Sequence, residues 1–147
     1  MTEKATTHVP RIAVAGMGYW GKNLVRNFAE LGALALVCDS DADREASVKS
    51  TYPGVDFSTR YETALERDDI DAIVLATPAA AHFEMAYAAI SAGKDIYVEK
   101  PLALSGEDGL ALVRHAAQNQ KILMVGHILQ YHPAVRRLKE IINEGEL

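Results

Sequence analysis

The sequence lacks the features of secreted, membrane-spanning and nucleic-acid-binding proteins. Its 147 residues include one cysteine, Cys38, which excludes an intramolecular disulfide and suits a reducing compartment. No apolar run approaches the roughly 20 residues that a membrane helix needs, and residues 1–10 lack the apolar stretch of a secretory signal. The net charge of −5 argues against nucleic acid or an anionic membrane as a partner. We therefore expect a cytoplasmic protein, with a flexible leader over residues 1–10 and one domain over residues 11–147.

Short apolar runs alternate with longer segments of helical periodicity, which predicts a parallel sheet built from strand–helix–strand units. Apolar residues make up 49% of the chain, enough to bury a core. Six strands with helices between them are typical of an α/β, doubly wound sheet. The predicted strands are Ile12–Ala15, Leu34–Cys38, 55–57, 70–76, 96–98 and 122–125.

Helices are predicted between the strands from apolar residues at helical spacing. Two shorter helices are predicted over residues 41–51 and 61–67. The last predicted helix carries an apolar stripe that includes Val135 and Leu138. The expected markers of helix ends are Gly32, Gly93, Ser105 with Asp108, and Pro133.

Residues 16–21, directly after the first strand, fit the pattern G-x-G-x-x-G. Gly16 allows a tight turn, Gly18 lets the backbone approach a pyrophosphate, and Gly21 lets the helix pack against the sheet. The strand before it and the helix after it predict a dinucleotide-binding Rossmann fold rather than a glycine-rich turn that binds nothing. No P-loop pattern occurs, which excludes a P-loop nucleotidase. The candidate cofactor contacts here are Gly16, Met17, Gly18, Tyr19, Trp20 and Gly21.

An acidic residue, Asp39, ends the second predicted strand, 23 residues after Gly16. The dinucleotide pattern places an acid about 20 residues on, where it accepts hydrogen bonds from the adenosine ribose. A carboxylate there would repel a 2′-phosphate, which favours NAD over NADP. Asp39 can instead cap the next helix, although Ser40, also a candidate cofactor contact, can take that role. We expect Arg44 to lie too far along the helix to reverse the choice of cofactor.

Polar residues also follow the fourth and fifth predicted strands, where ligands of open α/β sheets bind. Thr77 and Pro78 are candidate cofactor contacts after the fourth strand. His82 is a third candidate, although a structural role at a helix end is the simpler interpretation. Glu99 and Lys100, which follow the fifth strand, are also candidate cofactor contacts. Lys100 can in addition polarise a substrate hydroxyl or assist proton transfer. The alternative for this pair is a surface ion pair worth about 0–1 kcal/mol.

A third polar loop, residues 126–133, follows the last predicted strand and offers imidazole, amide and phenol groups. Gln130 is a candidate cofactor contact there. His127 and His132 can face the nicotinamide or the substrate, and packing at the helix start is the preferred interpretation for His132. No metal-ligand set is among the candidates.

Together these motifs resemble the Gfo/Idh/MocA oxidoreductase family, from about residue 11 to residue 147. Residues 18–24 and 126–133 resemble a narrower branch, the UDP-N-acetylglucosamine and UDP-N-acetylglucosaminuronate 3-dehydrogenases of surface-polysaccharide synthesis. The segments that carry the family resemblance are the glycine loop (residues 16–21), Asp39, Ala76-Thr77-Pro78 with His82, Ala92-Gly93-Lys94, and Glu99-Lys100-Pro101-Leu102-Ala103.

The resemblance implies that NAD accepts a hydride from a sugar or nucleotide-sugar hydroxyl carbon, with Lys100 as the catalytic lysine. It also implies a cis Lys100–Pro101 peptide bond. In the family a C-terminal α/β domain supplies the other catalytic side chain, most of the sugar pocket and the oligomer interface. We expect that domain to be absent here, so that the fragment alone is inactive and the full-length form is a homo-oligomer. Many relatives carry Arg-Phe where this chain has Gln130-Tyr131.

Two other functions are consistent with the residues. The chain can be a stand-alone NAD-binding module without catalysis, which has the same fold and cofactor. It can also be a methyltransferase, which likewise uses an early glycine turn and an acid after the second strand. Binding of NADH against binding of S-adenosylmethionine separates the methyltransferase from the other two.

Overall fold

A computed structural model describes residues 9–145, and the predicted leader lies largely outside them. Six strands form one sheet in the order β3-β2-β1-β4-β5-β6, and every neighbouring pair is parallel. This arrangement confirms the doubly wound Rossmann sheet. The strands are β1 (Ile12–Ala15), β2 (Leu34–Cys38), β3 (Asp56–Ser58), β4 (Ala72–Leu75), β5 (Asp95–Val98) and β6 (Leu123–Val125).

Within residues 9–145, six α-helices connect or follow these strands, with two short 3₁₀ helices at Ala79–Ala81 and Ile128–Tyr131. The expected helix ends are confirmed: Gly32 and Gly93 have positive φ angles, and the Ser105 hydroxyl accepts from the amide of Asp108. The α-helices are α1 (Gly21–Glu30), α2 (Arg44–Thr51), α3 (Glu62–Glu66), α4 (His82–Ser91), α5 (Gly106–Gln118) and α6 (Pro133–Asn143).

Alternate residues of each strand point to opposite faces, so the sheet has a core on each side. Ala13 belongs to the core that includes residues of α3, α4 and α5, whereas Val14 belongs to the core that includes residues of α1 and α2. Continuous burial on both faces explains why β1 and β2 are apolar throughout, which made them recognisable in the sequence.

Some predicted boundaries differ from the structure. The strand predicted over residues 70–76 is shorter, because Ile70 is buried in the preceding turn and Asp71 donates from its amide to the Arg11 carbonyl. The helix predicted from residue 41 begins at Arg44, because the carboxylates of Asp39 and Asp41 accept from backbone amides two residues on and form turns instead.

The apolar stripe of α6 is present, but it packs little against the described part of the chain. No residue of α6 is buried, and Val135, Leu138 and Ile142 are each at least 40% exposed. Within residues 9–145, no helix is long and apolar enough to cross a membrane.

Candidate functional site

Two neighbouring clefts lie at the carboxyl ends of the strands, on either side of the point where the strand order reverses. We call them the Asp39 cleft, of about 380 Å³, and the Lys100 cleft, of about 440 Å³. Ala76 and Thr77, at the end of β4, line both clefts. The reversal point is where open α/β sheets bind their ligands, so the fold places the candidate residues at the expected edge.

The glycine loop between β1 and α1 lines the Asp39 cleft with Gly16 and Gly18. Gly16 has a φ of +91°, and a Cβ atom there would lie 2.7 Å from the Ala76 carbonyl oxygen. A Cβ atom at Gly21 would overlap the carbonyl oxygen of Gly16. At Gly18, in contrast, a Cβ atom would have no neighbour within 4 Å. Gly16 and Gly21 are therefore required by the fold, whereas Gly18 leaves an open space beside the backbone.

Asp39 holds the glycine loop in place from the end of β2. One carboxylate oxygen accepts from the amide of Met17 at 2.6 Å, and the other accepts from the amide of Asp41 at 3.0 Å. The carboxylate lines the Asp39 cleft and is partly exposed. A carboxylate can accept about four hydrogen bonds, so Asp39 retains acceptor capacity toward the cleft.

Arg44 lies in contact with the acid, although we expected it to lie too far along the helix to reverse the choice of cofactor. Its guanidinium Nε is 3.3 Å from a carboxylate oxygen of Asp39 and 3.3 Å from one of Asp41. Its Nη1 donates to the Met17 carbonyl oxygen at 2.5 Å. The shortened α2 begins at Arg44, and this start places the side chain back over the glycine loop.

Glu99 is buried and does not form the surface ion pair considered for it. Its carboxylate accepts from the Trp20 indole at 2.7 Å and from the Tyr97 hydroxyl at 2.9 Å, and the amide of Lys100 lies 3.3 Å from it. Burial, with Glu99 beside it, raises the pKa of the Tyr97 hydroxyl above its ordinary value. A Cβ atom at Gly126 would lie within 2.9 Å of both Glu99 carboxylate oxygens. Glu99 therefore links the glycine loop to the loop that carries Lys100.

The Lys100 side chain is exposed and forms no ion pair within residues 9–145. It lines the Lys100 cleft together with Tyr19 and Trp20 of the glycine loop. It also lines an adjoining groove that contains His127 and Gln130. The Lys100–Pro101 peptide bond is cis, as expected. Lys100 thus lies where the glycine loop meets the loop after β6.

His82 lies at the start of α4, 1% exposed at the wall of the Lys100 cleft. Its Nδ1 is 2.7 Å from the Pro101 carbonyl oxygen, and its Nε2 is 2.9 Å from the Thr77 carbonyl oxygen. Both ring nitrogens are thus occupied by backbone groups of the two loops. These contacts favour the structural interpretation of His82 over direct contact with a cofactor.

The remaining candidates are distributed around the two clefts. Ser40 and Pro78 line the Asp39 cleft. The Thr77 hydroxyl oxygen is buried and has no hydrogen-bond partner within the described chain. Met17 reaches the site through its backbone, and its side chain packs against the core under α1 and α2.

The residues that line the Asp39 cleft include Thr59, Tyr61 and Met85, which were not predicted from the sequence. The Tyr61 hydroxyl donates to the Met85 carbonyl oxygen at 2.9 Å. Thr59 and Tyr61 follow β3, so the rule that ligands bind beyond the carboxyl ends of strands would have indicated them. Cys38 also lines this cleft, and burial raises the pKa of its thiol to about 12. At neutral pH it is therefore a protonated thiol rather than a nucleophile.

Comparison with known protein families matches residues 10–127 to the oxidoreductase family GFO_IDH_MocA, described by its NAD-binding Rossmann fold. The chain belongs to this family. The match confirms the resemblance found in the sequence and shows that the methyltransferase alternative is wrong. Within residues 9–145, no group of three or more His, Cys, Asp or Glu side chains is placed to hold a metal ion.

Curated relatives include dehydrogenases with different substrates. The chain is 34% identical over 139 residues to 4-carboxy-2-hydroxymuconate-6-semialdehyde dehydrogenase of Sphingobium sp., covering 93% of this chain and 44% of that protein. It is 32% identical over 135 residues to UDP-N-acetylglucosamine 3-dehydrogenase of Acidithiobacillus ferrooxidans, covering 88% and 41%. The chain therefore spans less than half the length of these relatives.

Solved structures share the fold. The WlbA dehydrogenase from Chromobacterium violaceum, crystallised with NADH and UDP-GlcNAcA, superposes with a TM-score of 0.85 at 26% identity. The match covers 94% of this chain and 41% of that one.

Proposed function

We propose that the chain binds NAD across the two clefts and provides the cofactor side of hydride transfer from a hydroxyl carbon of a sugar or nucleotide sugar. The observation that carries the proposal is the open backbone at Gly18, which lies beside the partly exposed Asp39 carboxylate at the reversal point of the sheet. An opening for a diphosphate next to an acceptor for ribose hydroxyls is what a dinucleotide requires.

The residues present fit that cofactor. The amides at the start of α1 and the open backbone at Gly18 are suited to the pyrophosphate. Asp39 and Ser40 are assigned to the adenosine ribose, and the carboxylate favours NAD over NADP. Thr77 lines both clefts and Pro78 lines the Asp39 cleft, and the two are assigned to the middle of the cofactor.

The Lys100 cleft is assigned to the nicotinamide, which when bound supplies the hydride acceptor. Tyr19 and Trp20 line one side of this cleft, and Gln130 lies in the groove beyond it. Lys100 is assigned to bind the reacting hydroxyl and to help move its proton as hydride leaves. Glu99 and His82 are assigned as positioning residues for the Lys100 loop, since their polar groups already hold protein partners.

A nucleotide sugar is the proposed substrate within this class. The support is the sequence similarity to the UDP-N-acetylglucosamine 3-dehydrogenase and the structural similarity to the dehydrogenase crystallised with UDP-GlcNAcA. We further propose a cytoplasmic protein whose full-length form is a homo-oligomer. The support for an oligomer is that apolar side chains such as Met124 on β6 and Leu138 on α6 are exposed, as on a surface that another domain or subunit covers.

Trp20 provides the direct test of cofactor binding, because it is the single tryptophan of the chain and lines the Lys100 cleft. Titration with NADH is expected to quench its fluorescence, and calorimetry on the same protein gives the affinity independently. S-adenosylmethionine is expected to leave the fluorescence unchanged. If NADH gives neither quenching nor heat, the proposed function is wrong.

Substitution of Asp39 by alanine is expected to raise the NADH Kd by about 10- to 100-fold, because the ribose loses its acceptor. Asp43→Ala is the matched control, since it removes the same charge at the start of α2 from a side chain that makes no capping bond. The control is expected to stay within about twofold of the wild-type Kd. An unchanged Kd in a folded Asp39→Ala variant would contradict the ribose assignment.

A further inference from the structure

Arg44 is in contact with the carboxylate assigned to the adenosine ribose. Its Nε lies 3.3 Å from Asp39 and 3.3 Å from Asp41, and its Nη1 is bound to the Met17 carbonyl oxygen. The side chain remains 37% exposed. Any group that binds at Asp39 is therefore also next to a guanidinium.

The guanidinium retains hydrogen-bonding capacity in this position. It has five N–H donors, and within residues 9–145 the Nη1 bond to Met17 is the one hydrogen bond that it makes. Its Nε is buried without a hydrogen-bond partner, although a carboxylate oxygen of Asp39 and one of Asp41 each lie 3.3 Å away. The ion pairs with Asp39 and Asp41 involve this buried Nε, so the donors that remain for another anion are on the two Nη atoms.

The local charges act in opposite directions on a 2′-phosphate. Asp39 and Asp41 repel such a group, whereas Arg44 attracts it over the same short distance. A guanidinium is also the side chain whose fork of donors suits phosphate oxygens best. The carboxylate therefore lowers affinity for a phosphorylated ribose without excluding it.

We propose that Arg44 sets the cofactor discrimination of this site, by binding the 2′-phosphate of NADPH beside Asp39. NADPH then occupies the same cleft as NADH and binds less tightly. The proposal rests on the assignment of Asp39 to the adenosine ribose in the proposed function.

The test compares NADH and NADPH on the 147-residue chain by Trp20 fluorescence and calorimetry. The wild type is expected to bind NADPH about tenfold more weakly than NADH. Arg44→Met is expected to raise the NADPH Kd by a further factor of about ten, with the NADH Kd changed less than about threefold. Arg44→Lys keeps the charge and is expected to retain most of the NADPH affinity.

Two controls separate the phosphate effect from general effects. Arg114→Met removes an exposed cation from α5 and is expected to leave both affinities unchanged. Asp39→Asn removes the repulsion and is expected to shift the ratio of the two Kd values toward NADPH. In the wild type, NADPH affinity is expected to fall more steeply with rising salt concentration than NADH affinity does. This measurement uses the wild type alone and does not depend on the folding of a variant.

The outcomes distinguish this inference from the proposed function. If Arg44→Met weakened the binding of NADH and NADPH equally, Arg44 would act by holding the glycine loop through Met17, and the inference would be wrong. Binding of NADH without any binding of NADPH would overturn the inference and leave the proposed function intact. Failure of both cofactors to bind the wild type would overturn both.

Discussion

Replacement of Gly18 by valine is expected to raise the NADH Kd at least about 100-fold, equivalent to a loss of about 2.7 kcal/mol. The added side chain would occupy the space where the backbone is assigned to meet the pyrophosphate. The fold should tolerate it, because a Cβ atom there has no neighbour within 4 Å and the residue lies outside the left-handed region of φ. Titration with NADH and a thermal melt of the same sample are the two measurements.

Gly21→Ala is the contrasting substitution in the same loop. Its Cβ atom would overlap the carbonyl oxygen of Gly16 and lie 3.2 Å from the Ala76 Cβ. We expect a loss of roughly 1–3 kcal/mol of folding free energy, measured by urea denaturation. Gly18→Val is expected to keep its folding stability, unlike Gly21→Ala. If Gly18→Val lost folding stability together with NADH binding, the support for a cofactor opening at Gly18 would be removed.

The elements that were predicted correctly from the sequence are those whose bounds depend on burial of the strand itself or on interactions between residues close in sequence. Strands β1 and β2 are buried on both faces, so their apolar runs match their bounds in the structure. The glycines that end helices and the cap at Ser105 depend on local backbone chemistry and were also predicted. The start of α2 was not, because the turns formed by Asp39 and Asp41 compete with the helix.

The parts of the site that were missed depend on side chains distant in sequence. The bond between Trp20 and Glu99 joins residues 79 positions apart, and no periodicity indicates it. The position of Arg44 over Asp39 depends on where α2 begins and on the Met17 carbonyl oxygen. Residue types in the loops could therefore be assigned to one edge of the sheet, whereas their pairing required the structure.

Pairing also gives the surroundings of two candidates, Glu99 and His82, of which His82 was already interpreted as structural. Glu99 and His82 were candidates for cofactor contact because they lie in the loops at the carboxyl edge. In the structure, the Glu99 carboxylate is buried against Trp20 and Tyr97, and the His82 ring spans the Thr77 and Pro101 carbonyl oxygens. Buried polar groups with their partners in place stabilise the loops around Lys100.

Lys100→Met is expected to lower turnover by about 1,000-fold while the NADH Kd changes less than about twofold. The lysine is assigned to the reacting hydroxyl, so its loss removes proton transfer and orientation but none of the contacts assigned to ribose or pyrophosphate. Its side chain is exposed and has no ion-pair partner within the described residues, so the fold should be unaffected. Turnover is followed as NADH formed from a nucleotide sugar by an active enzyme that carries this domain.

Lys49→Met on α2 is the matched control, because it removes an exposed lysine whose partner is Glu45, outside both clefts. That variant should retain wild-type turnover. Whether Lys100→Met lowers kcat or NADH affinity then decides the role of Lys100. A drop in kcat with unchanged NADH affinity places Lys100 at the reacting hydroxyl, whereas a Lys100→Met protein that no longer binds NADH would show that the lysine holds the cofactor instead.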